Sequence, residues 1–191
     1  MARSFDYVIC TPESYASMRA FIDEECTENT NAWIYNIIDD RQEASDEEVC
    51  LRTTLWTLVK NKHHGNDLRF LVIFHDKSLR TIRDLTQSHV DLLQQVQSTV
   101  AQYLKSCQLE NYVYYFHYLP SVFQLHLHVN SRFSPAFTTK PNDRIQPLAC
   151  VVSNLKKDSG YYAEAMILTK HCKTRHRAEV YMKKCGKSNF V

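Results

Sequence analysis

The chain has 191 residues, 44% hydrophobic and 23% charged, with a formal net charge of +2 at pH 7. That length fits one domain and can bury a real core, and the composition is ordinary for a soluble globular protein. The small net charge argues against nucleic-acid binding by bulk electrostatics; with three glycines and no G-x-G-x-x-G or Walker pattern, a Rossmann or P-loop phosphate site is also disfavoured. The seven cysteines are scattered with no C-x-x-C pair, which reads as reduced thiols in the cytosol or nucleus. The N-terminus lacks the apolar core of a secretory signal. No run approaches the roughly 20 apolar residues of a membrane span.

In chain order, Phe5 to Cys10 is short and apolar and reads as a strand. Thr11-Pro12-Glu13 reads as a helix start, with Thr11 as N-cap and Pro12 in the first turn. Tyr15, Met18, Phe21 and Ile22 continue it at helical spacing. Trp33-Ile34-Tyr35-Asn36-Ile37-Ile38 is aromatic and β-branched, which predicts a strand. The charged run from Asp39 to Glu48 reads as a solvated turn. Val49 to Lys60 predicts one or two strands, and Asn61 to Asp67 a loop. His63-His64 in that loop fit polar surface better than a metal site. Leu68 to Phe74, broken only by Arg69, predicts a central strand.

Thr86 is a good N-cap for a long helix, along which Val90, Leu93, Val96, Val100 and Leu104 form an apolar stripe. Asn111 to Tyr118 reads as an aromatic strand that passes through Pro120 into the next strand, an antiparallel hairpin. Pro135 to Asp143 is a polar loop, Arg144 is expected to begin a helix, and Tyr161 to Leu168 is expected to be the last strand. From Lys170 the chain turns basic; Cys172 and Cys185 fit no standard zinc-finger spacing, so a basic tail is the better reading, one that could attract RNA phosphates or serve localisation.

The stretch with the most chemistry is Phe123-Gln124-Leu125-His126-Leu127-His128-Val129-Asn130. Period 2 marks a strand with Gln124, His126 and His128 on one face and Phe123, Leu125, Leu127 and Val129 on the other. Imidazole offers a nucleophile and a proton donor near neutral pH. Spacing alone fits a metal site or a half-exposed sheet face as well as a catalytic row.

This stretch resembles the histidine-triad (HIT) motif His-φ-His-φ-His-φ-φ, with Gln124 in the first His position. The preceding His117-Tyr118-Leu119-Pro120-Ser121 narrows the resemblance to the catalytic domain of the scavenger mRNA decapping (DcpS) family. Three further segments carry it: Trp33 to Glu43, Ser78 to Thr86, and Arg144 to Leu155. The resemblance implies an α+β fold in a single HIT-like domain over residues 1–168, an antiparallel sheet with a long packed helix, followed by the tail at 169–191. It does not extend to that family's separate N-terminal lid domain, for which the chain is expected to be too short.

The implied activity is hydrolysis of the 7-methylguanosine cap, in a cap dinucleotide or short capped RNA, to 7-methylguanosine monophosphate and a diphosphate product. His126 would be the nucleophile and form a nucleotidyl-histidine. His128 would bind phosphate oxygens or protonate the leaving group. Gln124 cannot transfer a proton but can orient the strand. His117, Ser121 and Arg144 would contact the phosphates. Trp33 would stack on the cationic methylated base, and Glu43, ten residues on, would bond its edge.

The scheme needs no metal or cofactor. The implied partners are capped RNA or the cap dinucleotide and a second copy in a homodimer, with no membrane, in the cytoplasm or nucleus. Two rival readings stay open: a HIT hydrolase of another dinucleotide, and a non-catalytic cap-binding protein, the latter motivated by Gln124.

Overall fold

The computed structural model describes residues 5–10, 15, 16, 19, 22, 32–41, 47–61, 68–134 and 144–172. Its main sheet has six antiparallel strands. They are β2 (Glu48–Arg52), β3 (Trp56–Asn61), β4 (Arg69–Phe74), β5 (Tyr112–His117), β6 (His126–Ser131) and β7 (Ile145–Pro147). The spatial order is β2-β3-β4-β6-β5-β7. A separate pair joins β1 (Phe5–Cys10) to β8 (Ile167–Cys172). The helices are α1 (Ala32–Ile38), α2 (Val90–Ser106), α3 (Leu148–Lys157) and the single turn α4 (Tyr161–Glu164). No described helix is long and apolar enough to cross a membrane.

One face of the sheet carries the main core. Leu58, Phe70, Val72, Phe116, Leu127 and Val129 pack there with the α2 stripe of Val90, Leu93, Val96, Val100 and Leu104. Residues three and four apart on a helix share one face, so the stripe is buried while the rest of α2 stays wet. Each such side chain, once buried, contributes about 1.5–3 kcal/mol. Val151 and Leu155 of α3 close the same core. At the entrance to α2, the Thr86 N–H donates to His89 Nδ1 at 3.0 Å across a short 3-10 turn, Gln87–His89.

The opposite face carries a smaller cluster, Ile34 and Ile37 of α1 on Val59 and Ile73. Here the expected strand at Trp33–Ile38 is a helix. β-propensity describes residues that fit a pleated half-buried surface, but Ile34 and Ile37 are three apart and pack on the same patch of Val59 and Ile73, a shared face that a helix gives and a strand does not.

The helix ends in a Schellman motif. Asp40 sits at φ 60°, its N–H donates to the Ile37 carbonyl at 3.3 Å, and the Arg41 N–H donates to the Asn36 carbonyl at 2.7 Å.

Other expectations shift. Arg144 opens into β7 rather than a helix, and α3 begins at Leu148 just after Pro147, whose fixed φ and missing N–H suit a helix start. The last strand is β8, preceded by the α4 turn, and it runs through Leu168 to Cys172, across the expected start of the tail. The expected helix start at Thr11–Glu13 and the chain from 173 on lie outside the described residues; Tyr15, Ala16, Arg19 and Ile22 are helical.

The loop after β4 is a polar hub. Asp84 accepts from the Tyr15 hydroxyl at 3.1 Å, Arg19 Nη1 at 2.7 Å, and the Arg80 and Thr81 amides at 2.8 and 2.9 Å. Next to it, buried Arg83 donates to the Tyr118 hydroxyl at 2.5 Å and to the Tyr162 carbonyl at 2.9 Å. The segment Ser78–Thr86 therefore fastens the helical N-terminal residues, the loop before β6 and α4 to one another.

Candidate active site

Strand registers place the site on the α1 side of the sheet. His126 pairs with Ile73 and His128 with Leu71, the neighbours on which α1 rests. On the other side of β6, His128 pairs with Tyr115 of β5, and alternation brings His117 to the same face. Three imidazoles consequently meet. The His117 and His128 ring centroids are 4.2 Å apart, and those of His126 and His128 are 5.1 Å apart.

His126 is oriented by its own strand. Its Nδ1 lies 2.7 Å from the Gln124 carbonyl oxygen. A carbonyl only accepts, so Nδ1 carries the ring proton and Nε2 keeps its lone pair. The Gln124 side chain is fully buried, and its Nε2 donates to the carbonyls of Phe74 at 2.8 Å and Asp76 at 2.9 Å. Gln124 thus ties the entry of the motif to the end of β4. The alternation at Phe123–Leu125 does not form strand; this short irregular segment is held by those bonds and by the Leu125 N–H on the Leu79 carbonyl at 2.8 Å.

His128 is held from the side. The Tyr115 ring stacks on it at 5.1 Å and 5°, and the Tyr115 hydroxyl accepts from Asn130 Nδ2 at 2.8 Å. Among the described residues, buried Nε2 of His128 and Oδ1 of Asn130 have no hydrogen-bond partner. Tyr115 and Asn130 escaped the sequence reading, although the period-2 alternation carries on to Asn130.

The electrostatics keep all three rings neutral. Burial lowers the pKa of His117 to about 3, helped by the charge of Arg144 and by His126. Burial also lowers His126, against the Gln124 carbonyl, which raises it, and with Arg144 lowering it further. His128 is lowered well below its ordinary value by burial first, then by His117, His126, Arg144 and Arg69. Arg144 therefore acts on all three imidazoles; its guanidinium donates to the Leu119 carbonyl. A cation among neutral imidazoles is suited to an anionic ligand, whose charge would in turn favour the protonated rings.

The remaining expected residues are placed as follows. Trp33 is half-buried on α1 against the Ile34–Ile37–Val59–Ile73 cluster, on the face of the histidines. Val122 packs on that cluster too, joining α1 to the loop before β6. Ser121 is exposed in that loop. Glu43 lies outside the described residues. His117, His126, His128 and Arg144 are brought together; Gln124 joins them through its carbonyl.

Comparison with known proteins gives the family. A family model described as scavenger mRNA decapping enzyme C-term binding matches residues 32–141. The m7GpppX diphosphatase of Mus musculus is 31% identical over 148 residues, covering 69% of this chain and 41% of that protein. That of Homo sapiens is 30% identical over 149 residues, 69% and 42% respectively. That of Caenorhabditis elegans is 28% identical over 178 residues, 82% and 53% respectively. The chain thus spans about two fifths of the length of the mammalian relatives. Over more than half of its length, and with the three-imidazole face built on the matched residues, the chain belongs to the scavenger mRNA decapping enzyme C-terminal family within the histidine-triad fold.

Proposed function

We propose that the chain hydrolyses the 5′-cap of short capped RNA or a cap dinucleotide, releasing 7-methylguanosine monophosphate and a diphosphate product. The orientation of His126 carries this reading: a neutral ring, proton fixed on Nδ1, and Nε2 left to attack. In the first step Nε2 bonds to the phosphorus nearest the methylguanosine, the P–O bond to the next phosphate breaks, and the diphosphate leaves with that electron pair. Water then attacks the nucleotidyl-histidine, the P–N bond breaks, and the ring is restored. Two displacements replace one harder one.

Arg144 would balance phosphate charge, and His117 and His128 would donate to phosphate oxygens as the bound anion raises their affinity for protons. Trp33, on the helix over the same face, would stack on the methylated base, with Glu43 at its edge. The assay is incubation with a methylated cap dinucleotide and chromatography for 7-methylguanosine monophosphate. Its formation by wild type and not by His126→Ala is expected. Tight binding with no product would establish the non-catalytic reading instead. Equal turnover of methylated and unmethylated dinucleotides would point to another dinucleotide as substrate.

A further inference from the structure

The helix that carries Trp33 is only seven residues long. Two turns are marginal alone, so tertiary anchors must set its place. Its apolar anchor is in the middle, Ile34 and Ile37 on Val59 and Ile73. The Tyr35 hydroxyl takes a bond from Arg80 Nη1 at 2.7 Å. The C-terminal end is held by Arg52, which comes from the edge strand β2. Arg52 Nη2 donates to the Ile37 carbonyl at 2.7 Å and stands 3.1 Å from Asp40 Oδ1.

These are the two points where the Schellman turn is made, since the Ile37 carbonyl also receives the Asp40 N–H and Asp40 holds the positive φ. A cation at a helix C-terminus also complements the helix dipole. Asp40 is largely exposed, so the ion pair alone is weak; the carbonyl bond is the stronger hold.

We propose that Arg52 is a positioning residue for recognition of the methylated base, fixing α1 and through it the ring of Trp33. The inference rests on the cap reading given above. Without Arg52 the short helix is free to rock about its Ile34–Ile37 contact, and Trp33 lies at the end opposite the lost bond. Stacking and cation–π attraction depend on ring placement, and a displacement of about 1 Å is costly to a positioned contact.

The test is steady-state kinetics on methylated and unmethylated cap dinucleotides with wild type, Arg52→Ala, Arg52→Lys, Trp33→Ala and the Arg52→Ala/Trp33→Ala double variant. Amide exchange of Asp40 and Arg41 is followed in the absence of ligand. Arg52→Ala should raise KM for the methylated substrate about tenfold with kcat held within about twofold, the mark of lost binding rather than lost chemistry. Arg52→Lys, which can still reach the Ile37 carbonyl, should recover part of it. In the Trp33→Ala background, removing Arg52 should add less than about twofold, because the two act through one contact. The Asp40 and Arg41 amides should exchange faster in Arg52→Ala.

A fall in kcat at unchanged KM, an equal loss in the Trp33→Ala background, or unchanged exchange would overturn the role of Arg52. The wild type separates the two readings. No preference for the methylated base in wild type overturns the cap reading, whereas a preference kept intact in Arg52→Ala overturns this one.

Discussion

His126 Nδ1 and the carbonyl oxygen of Gln124 are 2.7 Å apart, two residues along the same segment. The bond sets the tautomer of the ring. The side chain of Gln124 holds that carbonyl in place from below, through the Phe74 and Asp76 carbonyls. An amide at the first position of the motif can thus orient the middle histidine without moving a proton.

If the first position of the motif only orients its neighbours, a histidine at position 124 is expected to raise the rate modestly. The two amide bonds predict a cost that this expectation leaves out. A neutral imidazole has one N–H, where the amide gives two bonds from Nε2. Gln124→His should lower stability by about 1–3 kcal/mol, the cost of an unmet buried acceptor, and lower kcat with it. Thermal unfolding and single-turnover rates check this. A faster and equally stable variant would show that the amide bonds do not matter.

Tyr115 should matter to His128 through its ring and its hydroxyl separately. Tyr115→Phe keeps the stack and loses the Asn130 bond, a cost of about 1–2 kcal/mol in denaturant unfolding. Tyr115→Ala loses both and should reduce turnover further, because His128 is then free to change rotamer. Equal rates for the two variants would assign the effect to Asn130 alone.

Much of this was legible in the residues, and the gaps have physical causes. The strand at His126–Ser131 and the α2 stripe follow directly from periods of 2 and 3.6. The Trp33 segment misled because tertiary packing of Ile34 and Ile37 overrode the β-propensity of its residue types. Pro147 marks the true start of α3, three residues after the expected start at Arg144. Gln124 falls in step with His126 and His128, yet its partners are carbonyls some fifty residues earlier, which no local pattern records. The third imidazole contact, His117 on His128, needs the antiparallel register of β5 and β6 to be known.

Stability should fall on the acid side. His117 has a folded pKa of about 3 against an ordinary 6.5, and His126 and His128 are lowered as well. The unfolded chain then binds more protons than the folded one below 6.5, so stability is fully present above that pH and is lost as pH falls toward the folded values. Unfolding midpoints between pH 8 and 4 should decline beginning near 6.5, as about the ordinary histidine pKa requires. His117→Asn should flatten part of that decline, and an unchanged slope would mean that His117 titrates normally.

Asp84 is predicted to be structural. It collects a phenol, a guanidinium and two amides. Asp84→Asn should destabilise the fold by about 1–3 kcal/mol while leaving KM for a cap dinucleotide nearly unchanged. A large KM effect in a variant of normal stability would move this hub into the site.

The account depends most on His126 as the atom that bonds to phosphorus. The direct measurement is rapid quench of the protein with a methylated cap dinucleotide, followed by peptide mass spectrometry under conditions that preserve phosphoramidates. The account predicts a 7-methylguanosine monophosphate adduct on His126, formed and lost on the timescale of turnover and absent from His126→Ala. An adduct on His117 or His128, or product release by His126→Ala at the wild-type rate, would contradict it.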